Sequence, residues 1–325
     1  MPVAVHREVG SGRHLRQIGD TVDVVPGHVY FCCFDGVPQS SRDLGYYTFD
    51  NEAHYEPFYD DFGPLNLAVL DTFLERFKVL LRRKRRKWVV YTGASPQQRL
   101  NTAYLVGAAM VLLLDEKACE AWCRLRRGQP PLYAGFRDAA MGPSTFDLSL
   151  VDVLRGVETA RRLGWLRLTL DGEGEGEGGS FDREEYEWYE RVENGDFNWI
   201  VPGKFLAFCG PHARSFVDKS GYPYHAPDVY FDYFREHKVS TIVRLNKKIY
   251  EAARFVKAGF QHVDLFFVDG STPSEAIVRR FIDVADNATG ALAVHCKAGL
   301  GRTGTLIACW MMKEYNTISV GQVAR

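Results

Sequence analysis

The sequence has little surplus charge, no long apolar run and no cysteine spacing typical of a metal site. Its 325 residues carry 40 basic and 41 acidic side chains, net −1, so global charge gives a polyanion such as nucleic acid nothing to hold. The longest apolar run, residues 103–114, falls short of the roughly 20 residues that span a bilayer. The first residues, Met1 to Glu8, lack the apolar core of a secretory signal. Seven cysteines, at 32, 33, 119, 123, 209, 296 and 309, are odd in number and unevenly spaced, which suits a reducing compartment. Cys119 and Cys123 have no second Cys or His pair at zinc spacing and read as part of a core helix. The expectation is a soluble intracellular protein without metal, cofactor, membrane insertion or nucleic-acid partner.

What is present is an ordinary globular composition, 46% hydrophobic and 25% charged, with length enough for two domains. Near the C-terminal end stands Val294-His295-Cys296-Lys297-Ala298-Gly299-Leu300-Gly301-Arg302-Thr303-Gly304-Thr305. An apolar run over 290–294 leads in as a buried strand, and residues 306–313 lead out as a helix. Cys296 and Arg302 bracket Lys297, Ala298, Gly299, Leu300 and Gly301. At a helix N-terminus the backbone N–H groups of such a loop point inward and cradle a phosphate. Gly299 and Gly301 allow the φ values and close approach the loop requires. The same donors and the helix dipole stabilise a thiolate at Cys296. Arg302 offers a planar fork to two phosphate oxygens, and Thr303 can give its hydroxyl to the departing sulfur. His295 is better placed to order the loop than to donate a proton. The plain alternative is a buried structural Cys in a strand-to-helix turn; the full string outweighs it.

From the beginning of the chain, residues 1–20 read as a mobile polar tail. Strands are expected at 22–25 and 29–34 and a helix at 66–81. The block Arg82-Arg83-Lys84-Arg85-Arg86-Lys87 reads either as a solvated helix end or as a nuclear import signal or anionic contact patch. Strand 88–92, loop 93–99 and helix 100–114 repeat the grammar of residues 291–312. Aligning Thr92 with Cys296, an offset of 204 (296 − 92), puts Thr in the nucleophile's place and loses the Arg spacing. The chain thus looks like two related α/β modules, only the second keeping the chemistry. A helix at 146–163 follows. Alternating Gly and Glu across 171–180 can build neither core nor stable helix and marks a flexible acidic linker at the domain boundary. Residues 181–193 then read as an acidic, aromatic helix that includes Glu187 and Glu190. It is either a solvated face or an acidic wall suited to substrates with Lys or Arg near a phosphosite.

In the second module, strands at 204–208, 240–245 and 262–268 alternate with helices at 227–237, 250–257 and 273–285, the last capped by Thr272. This alternation predicts a mainly parallel sheet with the Cys296 loop at the C-terminal end of a central strand, where ligands bind. Thiolate attack on a phosphomonoester needs an acid for the leaving oxygen. Asp269, 27 residues before Cys296 (296 − 269), sits on a loop at the same sheet edge, with Gly270 letting that loop adjust. A turn-forming Asp-Gly is its plain alternative.

These residues resemble the Cdc14 family of dual-specificity protein phosphatases, within the Cys-based protein tyrosine phosphatase superfamily. The resemblance covers most of residues 20–325. It is densest in residues 190–200, Phe208-Cys209-Gly210-Pro211-His212, residues 266–273 and the His295 to Thr305 loop. It implies two tandem phosphatase-like α/β domains, each a central sheet flanked by helices, joined by a linker helix, the first non-catalytic. The expected division is a tail at 1–20, the non-catalytic domain at 21–170, the linker and its helix at 171–194, and the catalytic domain at 195–325. The resemblance further implies substrates phosphorylated by proline-directed kinases, phosphoserine followed by Pro with a basic residue beyond. A role in cell division is implied with it, in the nucleus and cytoplasm or at a centrosome, spindle or basal body. Two departures stand out: a long Gly-Glu linker, and a chain end at Arg325 where the family continues with further helices, so a truncated catalytic domain is expected.

Two other readings remain. A phosphoinositide phosphatase has a similar loop but tends to carry a second Lys where this chain has Leu300. A scaffold that binds phosphoproteins and turns over poorly would follow from the missing C-terminal segment.

Overall fold

Two sheets organise the chain, and each combines parallel strands with one antiparallel edge strand. The computed structural model describes residues 16–127, 133–139, 142–144, 146–166 and 181–315. The Gly-Glu linker at 171–180, residues 1–15 and residues 316–325 lie outside them. The chain divides into two units between Phe181 and Asp182.

The first unit holds β1 (Arg16–Val25), β2 (Val29–Asp35), β3 (Leu44–Tyr47), α1 (Leu67–Arg82), β4 (Lys87–Thr92), α2 (Pro96–Leu113) and α3 (Ala118–Arg127). It continues with β5 (Phe136–Arg137), β6 (Asp147–Leu148) and α4 (Leu150–Arg162). The main sheet runs β1-β2-β4-β3, with β1 antiparallel and the other three parallel. β2 is buried from Val29 to Phe34, as a strand covered on both faces must be. Pro96 opens α2 where no N–H is needed, and the helix is buried all round from Arg99 to Leu113, packed against α1, α3 and α4.

The second unit holds α5 (Arg183–Tyr189), β7 (Asn198–Val201), β8 (Phe205–Phe208), a hairpin of β9 (Phe216–Val217) and β10 (Pro223–Tyr224), then α6 (Phe231–Glu236) and β11 (Val239–Arg244). After these come α7 (Ala253–Lys257), β12 (Gln261–Asp264), α8 (Glu275–Asn287), β13 (Ala291–His295) and α9 (Gly301–Tyr315). The sheet order is β12-β11-β13-β8-β7. β13 lies at its centre, parallel to β11 and β8 and buried at every residue. On one face Leu206, Phe208, Phe234, Ile242, Phe255 and Ala293 form a cluster against which Tyr189 of α5 packs. The helix read as a linker thus docks within the second unit. Phe205, one residue from Leu206, points the other way. It stacks on Phe281 of α8 at 5.7 Å and meets Trp310 of α9 edge-on at 4.9 Å.

Several boundaries differ from expectation. Residues 16–20 belong to β1 rather than to a tail, because the strand pairs with β2 out to Asp35. α4 begins at Leu150, since Asp147 and Leu148 pair with Arg137 and Phe136 and Ser149 takes the cap. Residues 227–230 form a 3-10 turn before α6, α5 ends at Tyr189, and α7 and β12 are shorter than their apolar runs. Cys119 and Cys123 lie on a helix, as expected, yet both are exposed. Thr272 does not cap α8. It precedes Pro273, which disfavours helical backbone before it, and Ser274 accepts from the Ile277 N–H instead. Among the described residues no helix is long and apolar enough to cross a membrane.

The cap assignment has a direct test in urea unfolding. Ser274→Ala is expected to lower stability by about 1 kcal/mol, whereas Thr272→Ala should move the midpoint little. Equal losses would return the cap to Thr272.

Candidate active site

Cys296 follows β13 directly and so stands at the C-terminal edge of a strand buried at every residue. α9 starts at Gly301, five residues earlier than its apolar run suggests (306 − 301), and therefore takes Arg302 and Thr303 into its first turn. That turn is closed by Gly304 N–H donating to Leu300 O at 2.7 Å and Thr305 Oγ1 donating to Gly301 O at 2.8 Å. The loop is left as residues 296–300 feeding a helix N-terminus with free N–H groups.

Two glycines make this geometry possible, and they are not the pair expected. At Gly299, φ is +74°, and a Cβ would lie 2.5 Å from the Phe208 carbonyl oxygen. At Gly210, a Cβ would lie 2.3 Å from the Cys296 carbonyl oxygen. Gly301 has open space around it and ordinary φ, so its smallness is not what the loop needs. Gly210 N–H and Cys209 Sγ both donate to Lys297 O, at 3.1 and 3.2 Å. His295, fully buried, lies with Nδ1 3.0 Å from Cys296 O, which fits the loop-ordering role read from its position.

Cys296 itself is buried, at 3% exposure. Arg302 is 6% exposed, and its Nη1 donates to Phe267 O at 3.3 Å. Its Nε lies 3.2 Å from Asp269 Oδ1 but without the alignment of a hydrogen bond. Asp269, with its side chain 71% exposed, is thereby brought to the cradle across 33 residues of sequence (302 − 269). Ser271 fixes the Asp269 turn by donating from N and Oγ to Val268 O. Thr303 Oγ1 is buried with no hydrogen-bond partner, an unspent donor one residue past the Arg. Lys297 and Leu300 are exposed at the rim and Ala298 is half-buried.

The acidic residues divide. Glu187 is exposed on α5, and nothing among the described contacts ties it to the cradle. Glu190 lies close enough to Asp196 to raise its carboxyl, although burial does more, and together they push Asp196 up to about 7. Asp196 shares a small pocket with Cys209, Gly210, Tyr222 and Tyr230. Burial first, and Asp196 second, raise the Cys209 thiol. Asp196 and Cys209 were thus missed as neighbours of the site, though both fall inside strings already singled out.

The first unit builds the same turn differently. Thr92, wholly buried, ends β4 where Cys296 follows β13, and its hydroxyl donates to Asp50 Oδ1 at 2.7 Å. The next N–H, of Gly93, donates to Asp50 Oδ2 at 2.8 Å. A carboxylate of the chain itself sits where the second cradle would hold an anion.

Comparison with known proteins matches these two units separately. Residues 23–160 match the family model "Dual specificity protein phosphatase, N-terminal half". Residues 223–316 match "Polymorphic toxin system, DSP-PTPase phosphatase". Tyrosine-protein phosphatase cdc-14 of Caenorhabditis elegans is 51% identical over 324 residues, covering 95% of this chain and 44% of its own length. Dual specificity protein phosphatase CDC14A of Mus musculus is 51% identical over 290 residues, 88% of this chain and 46% of that protein. The chain belongs to the Cdc14 family. Its two units are α/β domains of the dual-specificity phosphatase type, as the sequence implied. The more distant Schizosaccharomyces pombe Cdc14 homologue is still 34% identical over 92% of this chain, and covers 56% of its own length. The chain spans about half the length of these curated Cdc14 relatives.

The raised carboxyl of Asp196 gives a pH prediction. Its folded value, about 7, exceeds the ordinary 3.8, so the folded chain binds more protons between the two and loses stability as pH rises from about 4 to about 7. Asp196→Asn removes that loss, and its melting temperature relative to wild type should rise across this window. A wild-type melting temperature whose pH dependence is untouched by the substitution would contradict the buried, protonated carboxyl.

Proposed function

We propose that this chain carries the catalytic centre of a protein phosphatase that hydrolyses phosphoserine, phosphothreonine and phosphotyrosine through a cysteinyl-phosphate. The observation that carries this reading is the ion pair of Arg302 with Asp269 in a cradle that begins at Cys296. One residue binds the dianion, one protonates the leaving oxygen and one attacks.

The steps follow from those positions. The Cys296 thiolate attacks phosphorus as the bond to the substrate oxygen breaks, and Asp269 gives that oxygen its proton. Loop N–H groups of residues 297–301 and the Arg302 fork take the three phosphoryl oxygens, whose charge they match best in the transition state. Asp269, now a carboxylate, takes a proton from water as the water attacks phosphorus. The P–S bond breaks, inorganic phosphate leaves, and Thr303 Oγ1 is the donor available to the returning thiolate.

Substrates are proposed to be phosphoproteins left by proline-directed kinases, with a basic residue beyond the Pro. Glu190, the electrostatic neighbour of Asp196, supports the basic-residue preference, whereas Asp196, pushed up to about 7, adds little negative charge near neutral pH. Leu300, exposed at the mouth, leaves out the second cation that would suit an inositol phosphate. The first unit is proposed to be non-catalytic because Thr92 and Asp50 occupy its cradle. A cell-division role in the nucleus or cytoplasm is a proposal drawn from the family name alone.

Hydrolysis of a phosphoserine-Pro-x-Lys peptide beside a phosphoinositide tests the mechanism. Cys296→Ser should abolish peptide turnover, and Asp269→Ala should reduce it by roughly 100- to 10,000-fold. Full turnover by Cys296→Ser would sink the mechanism, and faster phosphoinositide turnover would sink the substrate class. For specificity, reversing Glu187 and Glu190 to Lys should weaken the preference for Lys over Ala beyond the Pro. An unchanged preference removes these acids from the substrate groove.

A further inference from the structure

Behind the nucleophile lies a row of buried polar groups that no step above uses. His295 Nε2 is 2.8 Å from Tyr250 Oη, and the same Oη is 2.8 Å from His262 Nε2. The His262 side chain is only 2% exposed, and Tyr250 is 4% exposed. One hydroxyl therefore bridges two imidazoles and has a single proton to give.

Counting donors and acceptors fixes where the hydrogens sit. A carbonyl oxygen can only accept, so His295 Nδ1, 3.0 Å from Cys296 O, carries a hydrogen. Burial lowers His295 to about 3 and His262 to about 4, so both rings are neutral near pH 7. A neutral His295 with its hydrogen on Nδ1 has a bare Nε2, which must accept from Tyr250. Tyr250 Oη, having donated, accepts from His262, whose hydrogen is thereby placed on Nε2. The far end is anchored. Arg244 grips both Asp264 oxygens at 2.7 and 3.1 Å, donates to Tyr250 O at 2.7 Å, and lies 4.4 Å over the Tyr250 ring.

We propose that Tyr250 and His262 are positioning residues, which hold His295 in its Nδ1–H tautomer and thereby aim the phosphate cradle. Peptide planarity transmits the effect. Drawing the Cys296 carbonyl toward His295, with Gly210 packed against it, turns the Lys297 N–H to the opposite side, toward the bound phosphate. Without the hydroxyl, only the Cys296 carbonyl still selects the Nδ1–H tautomer, and the ring, with Nε2 unpaired, is held against that carbonyl less firmly. The inference deepens the phosphatase reading, and its kinetic part rests on that reading.

The test is a nitrogen–proton correlation spectrum of the histidine rings in the whole 325-residue chain near pH 7, read beside steady-state phosphatase kinetics. Wild type should show His295 protonated at Nδ1 and His262 at Nε2. The reverse for either ring overturns the relay whatever the enzyme does. Tyr250→Phe should move the His295 ring-nitrogen shifts away from the pure Nδ1–H form and lower kcat by roughly 10- to 100-fold, with KM changed less. An unchanged tautomer with unchanged kcat overturns the proposal. His262→Gln places an amide donor near the lost Nε2–H and should keep more of the His295 tautomer and of kcat than His262→Leu. Equal losses, in variants that melt like wild type, contradict the hydrogen-bond role. A wild type without any turnover would fail the phosphatase reading, while the tautomers would still judge the relay.

Discussion

The site depends on how the last strand of the second sheet is allowed to end. β13 is the central strand, buried along its length and bonded on both sides, so its terminal peptide has almost no freedom. His295 lies opposite Arg244 on one side and Phe208 on the other. The Cys296 carbonyl is then held between the His295 imidazole and the Cα of Gly210. From that fixed point the loop turns back over Phe208 at Gly299 and enters α9 with its N–H groups unspent. Cys296, the loop and the Arg302 guanidinium are arranged by packing, which is what electrostatic preorganisation requires.

The first unit builds a similar strand, loop and helix with a different partner in the turn. Its sheet also ends a parallel strand in a small-residue loop and a helix, and that helix is more deeply buried than α9. The inward-facing donors cannot be left unpaired in such a place. Asp50 supplies the acceptor, bonding the Thr92 hydroxyl and the Gly93 N–H together. The turn after β4 is thus stabilised by a carboxylate of the protein.

Much of this was legible in the sequence because the cradle is local. Cys296, Arg302 and the helix they open are consecutive, and Asp269 follows from the rule that loops after parallel strands share one edge. What could not be read depends on distant pairing. Asp147 and Leu148 look helical until their partners at 136 and 137 are known. α9 swallowed its first turn because Gly301 and Gly304, poor helix formers, are held there by bonds to neighbouring loop residues. Tyr250 and His262 carried no motif; they meet His295 only because β11 pairs with β12 on one side and with β13 on the other, and Tyr250 bridges the two histidines. Glu187 was read from composition, and no contact replaces that argument.

The pairing of a buried Arg302 with an exposed Asp269 makes occupancy of the site a trade between anions. An isolated guanidinium at that depth would be costly, and the carboxylate offsets part of the cost while the cradle is empty. In the proposed reaction an arriving dianion would compete with that carboxylate for Arg302, so its affinity would be the difference between two attractions rather than the strength of one. Binding would then be an exchange of partners at Arg302.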